Sequence, residues 1–116
     1  MKKFFLPLIL MALIITSLTP AQAQTASWYG DMFHGRTTAN GETFNKWEMT
    51  CASNSHKMGT RLKVTNVENG KSVIVKVNDT GGFKKYGRTL DLSRGAFSKI
   101  SDISKGIVKV KIKVLE

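Results

Sequence analysis

Cysteine is almost absent from these 116 residues: Cys51 is the only one. No internal disulfide can staple the chain, and one cysteine with two histidines cannot build a metal array of the usual spacing. Neither a resident metal nor a cofactor is expected. Beside Met49 and Ala52, Cys51 reads as a small buried side chain rather than a reactive thiol. Acidic residues are scarce as well, 8 Asp+Glu against 18 Lys+Arg, a formal net charge of +10. The scarcity shortens the list of groups able to move a proton, and the surplus of cations favours polyanionic partners. Internal repeats and low-complexity linkers are missing too, so a single domain is expected.

At the N-terminus, Lys2 and Lys3 precede an almost unbroken apolar stretch from Phe4 to Leu18, and Ala21-Gln22-Ala23 carries the small residues of a signal-peptidase site. This reads as a secretory signal peptide over residues 1–23, cut after Ala23, with residues 24–116 as the mature domain in the periplasm or outside the cell. With no cysteine at the cut to accept lipid, no membrane anchor is expected, and the mature domain reads as a monomer. Without Lys2 and Lys3 it keeps 16 basic residues against 8 acidic, or +8. Export argues against nucleic acid as the polyanion. Lys109, Lys111 and Lys113 alternate with apolar residues and read as the solvated face of a strand.

Most of the mature chain has a period of two. Arg61–Val67, Ser72–Asn78 and Ile107–Leu115 alternate as half-buried strands, with shorter ones at Thr25–Tyr29 and Thr89–Leu92 and another at Glu48–Ala52. Asn69-Gly70 predicts a two-residue hairpin turn between the first pair. Ser93 is placed to cap one short helix over Arg94–Ile100, with Ala96, Phe97 and Ile100 on one side. Short strands, one helix and polar loops suggest a small closed all-β barrel. Periodicity alone does not separate it from an SH3-like or OB-like one.

Local motifs then follow in a fixed order: Ala26-Ser27-Trp28-Tyr29-Gly30, Phe33-His34-Gly35-Arg36, Thr38-Ala39-Asn40-Gly41-Glu42, Gly59-Thr60, Val64-Thr65-Asn66, Asn69-Gly70, Val77-Asn78-Asp79 and Arg88-Thr89-Leu90-Asp91-Leu92-Ser93. Taken together they resemble the RlpA-like (rare lipoprotein A) family of double-psi β-barrels, from about Ala26 to Val114. The resemblance implies a six-stranded double-psi barrel with one short helix. It also implies lytic transglycosylase activity on peptidoglycan, cleaving MurNAc–GlcNAc bonds of peptide-free glycan strands to 1,6-anhydro ends. The same barrel is similar to the catalytic-like domain of expansins, so a non-catalytic glycan-binding module is the alternative it carries.

Such a reaction needs one carboxyl group that donates a proton to the leaving oxygen and then accepts one from the C6 hydroxyl of the sugar. By resemblance Asp79 is that group, with Glu42 and Asp91 assisting. Asp79 ends an apolar strand and enters Thr80-Gly81-Gly82, where small residues let a sugar approach the backbone. Read without the resemblance, Asp79 equally suits an aspartate capping its own turn, Glu42 an exposed loop acid, and Asp91 a helix cap or a partner of Arg88. Tyr29 and Phe33 are candidates to stack on sugar faces, Arg36 to meet a lactyl carboxylate, and Thr80 to contact substrate. Family members carry Thr-Ala-Ala-His before the Gly-Thr turn, where this chain has Thr50-Cys51-Ala52-Ser53, so Ser53 takes the histidine's place on the substrate side. His56, three residues on, reads as an exposed loop residue.

Overall fold

The computed structural model describes residues 24–81 and 89–115. The expected signal peptide and Arg88 lie outside the described residues. Every expected strand is present: β1 Gln24–Trp28, β2 Thr50–Ser53, β3 Arg61–Asn66, β4 Ser72–Asp79, β5 Leu90–Leu92 and β6 Ile107–Val114, with one α-helix, α1, at Arg94–Ile100. The strands close into a barrel in the order β1-β5-β2-β4-β3-β6. Pairs β1·β5 and β2·β4 are parallel and the others antiparallel. Crossing connections of this kind in a closed six-stranded sheet make the double-psi barrel that the motifs implied.

Alternation builds the core as the period-two pattern dictates. Leu62 and Val64 of β3, Val75 and Val77 of β4, Leu90 and Leu92 of β5 and Val110 of β6 point inward and are buried. Lys109, Lys111 and Lys113 point out. Helix α1 adds Ala96, Phe97 and Ile100 to the same core. Cys51 is fully buried there, and burial, followed by the field of Asp91, pushes its thiol up to about 12. It is an inert packing residue.

Both ends of α1 are tied to the barrel. Ser93 Oγ accepts the Ala96 N–H at 3.1 Å and donates to the Glu48 carbonyl. At the other end the Ile100 carbonyl accepts from Asn66 Nδ2 at 2.8 Å and Asn69 Nδ2 at 3.0 Å. This changes the expected turn. The β3–β4 connection is a longer loop, residues 67–70, closed by Asn66 N–H to the Lys71 carbonyl at 2.8 Å. Only Gly70 takes a positive φ, 75°. A two-residue type I′ turn needs positive φ at both central residues. Here Asn69 instead reaches the helix end and accepts the Lys71 N–H at 2.9 Å.

One irregularity positions the chemistry. Strand β4 buries Val73, Val75 and Val77, and strict alternation would send Asp79 inward after them. The pairing of β2 with β4 shifts between Cys51 and Ala52: Cys51 faces Val77, but Ala52 faces Asp79. The extra residue, Asn78, is a bulge that turns the carboxylate away from the barrel interior.

Candidate active site

Ala52 is the centre of the arrangement. Its register partner on β4 is Asp79 and on β5 is Asp91, so two carboxylates flank one small side chain. Neighbouring strands lie about 4.8 Å apart, which separates the two backbones by roughly 10 Å. Ala52 packs with Tyr29 and Phe44 in a buried cluster apart from the main core. That cluster forms the floor of the site.

The carboxylate of Asp79 is held by three donors. Oδ1 accepts the N–H groups of Ala39 and Thr80, each at 2.9 Å, and Oδ2 accepts the Tyr29 hydroxyl at 3.2 Å. Two backbone donors fill the lone pairs of Oδ1, while Oδ2 accepts one donor and keeps a lone pair to spare. Burial first, and then the charges of Asp79 and Asp91, push the Tyr29 phenol far above its ordinary 10.0. The phenol is therefore held in its protonated form near neutral pH, with both carboxylates acting on it. Asp91 is half-buried and accepts from Ser27 Oγ at 2.9 Å.

The Thr38-Ala39-Asn40-Gly41-Glu42 motif delivers two of these groups. It forms a tight hairpin, Thr38 N–H to the Glu42 carbonyl at 2.7 Å and Gly41 N–H to the Thr38 carbonyl at 3.0 Å. Gly41 sits at φ 89°, the left-handed conformation that closes a three-residue hairpin loop. Its tip presents the Ala39 N–H to Asp79 and its return strand lays Glu42 against β4. There Glu42 accepts Lys76 Nζ at 2.6 Å and Asn78 Nδ2 at 3.1 Å. Hydrogen bonds from Lys76, then from Asn78 and Asn40, hold the carboxyl down at about 2. Glu42 is a fixed negative charge beside the site, not a proton donor near neutral pH.

The other sequence candidates separate. Tyr29 is buried, its ring 4.6 Å from that of Phe44, so only its hydroxyl reaches the site and it is no stacking platform. Phe33 is 40% exposed, packs edge-on to Tyr29 at 5.8 Å, and has Arg36 Cζ 6.0 Å from its centroid, so these two remain open to a ligand. Thr80 is exposed next to Asp79. Ser53 does not face substrate: it is 1% exposed, and its oxygen accepts the N–H groups of Ser55 and His56, each at 3.2 Å. Its Oγ also hydrogen-bonds with His56 Nδ1 at 3.0 Å. His56 is therefore half-buried and anchored, not the exposed residue that its loop position suggested.

Several residues at the site carried no strong sequence signal. Lys76 looks like an ordinary strand position, yet with Asn78 of the Val77-Asn78-Asp79 motif it fixes Glu42. Asn54 pairs through its side-chain amide with both the N–H and the carbonyl of Gly81, pinning the chain just after Asp79. A cleft of about 590 Å3 opens beside Glu42, lined also by Thr43, Trp47, Glu48, Met49, Thr50 and Lys76. Among the described residues no group of three or more His, Cys, Asp or Glu is placed to hold a metal ion.

Comparison with known proteins bears on both fold and site. A sequence model of the lytic transglycolase family matches residues 21–112. The probable endolytic peptidoglycan transglycosylase RlpA of Synechocystis sp. is 50% identical over 91 residues, which are 78% of this chain and 28% of that protein. The corresponding endolytic peptidoglycan transglycosylase of Campylobacter jejuni is 48% identical over 90 residues, 78% of this chain and 32% of that one. The chain thus spans about a third or less of the length of these curated relatives. Among solved structures, the Streptomyces papain inhibitor superposes with a TM-score of 0.64 at 20% identity, over 82% of this chain and 94% of its own. The apo Clavibacter michiganensis expansin gives 0.63 at 27% identity, over 80% of this chain and 49% of its own. Among the described residues no helix is long and apolar enough to cross a membrane.

Proposed function

The chain belongs to the lytic transglycolase family of double-psi β-barrel domains, and from that premise we propose that it is an exported lytic transglycosylase. Its substrate in this reading is the glycan strand of peptidoglycan, and its product a 1,6-anhydro sugar end. The observation that carries the proposal is the geometry of Asp79: one oxygen saturated by two backbone donors, the other accepting only the Tyr29 hydroxyl, with a lone pair left for the substrate.

Asp79 Oδ2 donates its proton to the glycosidic oxygen as the bond to the anomeric carbon breaks. The oxocarbenium-like centre develops near the fixed charge of Glu42 and the field of Asp91, which stabilise it. Asp79, now ionised and steadied by Tyr29, Ala39 and Thr80, takes the proton of the C6 hydroxyl as that oxygen closes on the anomeric carbon. No water enters and Asp79 ends as it began. The lactyl carboxylates of peptide-free MurNAc suit the basic domain, with Arg36 beside Phe33 as a direct partner.

Incubating purified peptide-free glycan strands with the protein and analysing the products by mass spectrometry tests this reading. Accumulation of 1,6-anhydro ends is expected. Retained glycan binding without any anhydro product would favour the expansin-like alternative, for which Ser53 in place of the family's histidine is the supporting observation.

A further inference from the structure

The cleft beside Glu42 has Trp47 in its wall. Its indole is 57% exposed, whereas Trp28, the other tryptophan, is half-buried and donates its Nε1–H to the Ile103 carbonyl at 3.0 Å. Aromatic side chains are common in the walls of ligand clefts.

The exposure of Trp47 is built in, because its backbone is locked. The carbonyl of Lys46 accepts the Gly95 N–H at 2.7 Å, and that of Glu48 accepts Ser93 Oγ. Between them the Trp47 carbonyl lies so close to Gly95 that a Cβ there would stand 2.6 Å from its oxygen. On the loop side, Trp47 N–H bonds Asn45 Oδ1 at 3.0 Å. Three consecutive residues are thus clamped on the start of α1 while the ring projects outward. Such a platform loses little freedom when a ligand settles on it.

Its surroundings suit a sugar. Lys46 Nζ and Arg94 Cζ lie over the indole, 5.2 and 5.8 Å from its centroid, and both pair with Asp31, at 3.7 and 3.0 Å. The paired cations cover part of the ring, and the rest of the exposed indole is left to a ligand. Thr50 belongs to the cleft wall but is only 7% exposed, and its hydroxyl oxygen is buried without a hydrogen-bond partner among the described residues. Glu42 links the cleft to the strand that ends in Asp79: it lines the cleft and accepts from Lys76 and Asn78 of β4. A volume of about 590 Å3 falls within the range of about 300–1,000 Å3 typical of small-molecule sites.

We infer that this cleft is an outlying saccharide subsite, in which the face of Trp47 stacks on a pyranose ring of the glycan strand that reaches Asp79. The inference rests on the proposed glycan substrate but not on its cleavage. The stacked ring adds affinity equally to ground state and transition state, so it acts on binding rather than on turnover.

Titrating solubilised peptide-free glycan strands while following tryptophan emission and heat of binding tests the subsite, with anhydro product measured on the same samples. Trp47→Ala is expected to weaken binding and raise KM by about tenfold with kcat unchanged. Trp47→Phe keeps a stackable ring, so the emission change vanishes while calorimetric affinity stays within about threefold, and this variant reads the subsite even if Trp47→Ala folds poorly. Equal affinity and KM in folded Trp47→Ala, or a parent protein that does not bind glycan, would overturn the subsite. Binding that depends on Trp47 with no anhydro product would remove the catalytic reading and leave the subsite standing. Anhydro product formed by parent and Trp47→Ala with equal KM and equal glycan affinity would do the reverse.

Discussion

The hydroxyl of Tyr29 donates to Oδ2 of Asp79 across 3.2 Å, joining residues 50 positions apart in the chain. Removing that hydroxyl leaves the ring on Phe44 and deprives the ionised Asp79 of one donor. Tyr29→Phe should therefore fold normally, lower kcat about tenfold, the worth of roughly 1.5 kcal/mol for a bond to a charged group, and leave KM little changed. Steady-state kinetics with a thermal melt checks this, and an unaltered kcat would show that Tyr29 only packs.

Glu42 is held ionised down to about 2, so it contributes no limb to the pH dependence of turnover between pH 3 and neutrality. Glu42→Gln preserves shape but leaves Lys76 without its anion and removes a negative charge near the developing cation. A fall in kcat of about 10–10²-fold is expected, with the shape of the pH–rate profile unchanged. Loss of an acidic limb in the variant would identify Glu42 as a titrating catalytic group instead.

Two buried groups set the alkaline limit of stability. The folded state raises Cys51 from 9.0 to about 12 and Tyr29 beyond its ordinary 10.0. Both groups keep their protons when folded and lose them when unfolded. Their contribution is therefore complete below about pH 9 and declines as pH rises, on the order of 1.4 kcal/mol per unit for each group once its unfolded form titrates. Urea midpoints should be level between pH 7 and 8.5 and drop from about pH 9. In Cys51→Ala the drop should begin nearer pH 10. An identical onset in both proteins would contradict this assignment.

Gly95 decides a contest of opposite effects. Alanine inside a helix is normally favoured over glycine by about 1 kcal/mol. Here its Cβ would meet the Trp47 carbonyl oxygen at 2.6 Å and the carbonyl carbon at 2.9 Å, and that backbone is clamped. Overpacking against a fixed group costs about 1–3 kcal/mol, so Gly95→Ala should destabilise, with Tm falling by roughly 4–8 °C for each kcal/mol of net loss. A Tm equal to or above that of the parent would mean that the Trp47 loop yields.

Much of the barrel was legible because alternation is a local property. Arg61-Leu62-Lys63-Val64 and Ile107–Leu115 declare their inward faces residue by residue, and Ser93 announces its helix. The bulge at Asn78 is not local: it exists only in the pairing of β4 with β2, and it decides where Asp79 points. Asp79, Glu42 and Asn78 were singled out by family motifs, while Lys76, which with Asn78 fixes Glu42, was hidden in a strand of ordinary composition. Ser53 and His56 misled for the same reason. Position along the chain suggested a substrate-facing serine and a free histidine, but the tight turn from 53 to 56 folds the hydroxyl inward onto backbone donors and draws the imidazole after it. Trp47, in a loop between Lys46 and Glu48, becomes conspicuous only when Gly95 is seen to hold its backbone in place.

The central claim is that Asp79 moves the proton, and one substitution addresses it most directly. Asp79→Asn retains the shape and the capacity to accept from Ala39 and Thr80, but it can neither deliver a proton to the glycosidic oxygen nor recover one from the C6 hydroxyl. Quantifying 1,6-anhydro ends by mass spectrometry, with glycan affinity measured in parallel, should show product formation reduced by about 10²–10⁴-fold and binding largely preserved. Anhydro product at the parent's rate from a well-folded Asp79→Asn protein would contradict the account and move the acid to another carboxylate, with Asp91 across Ala52 the next to substitute.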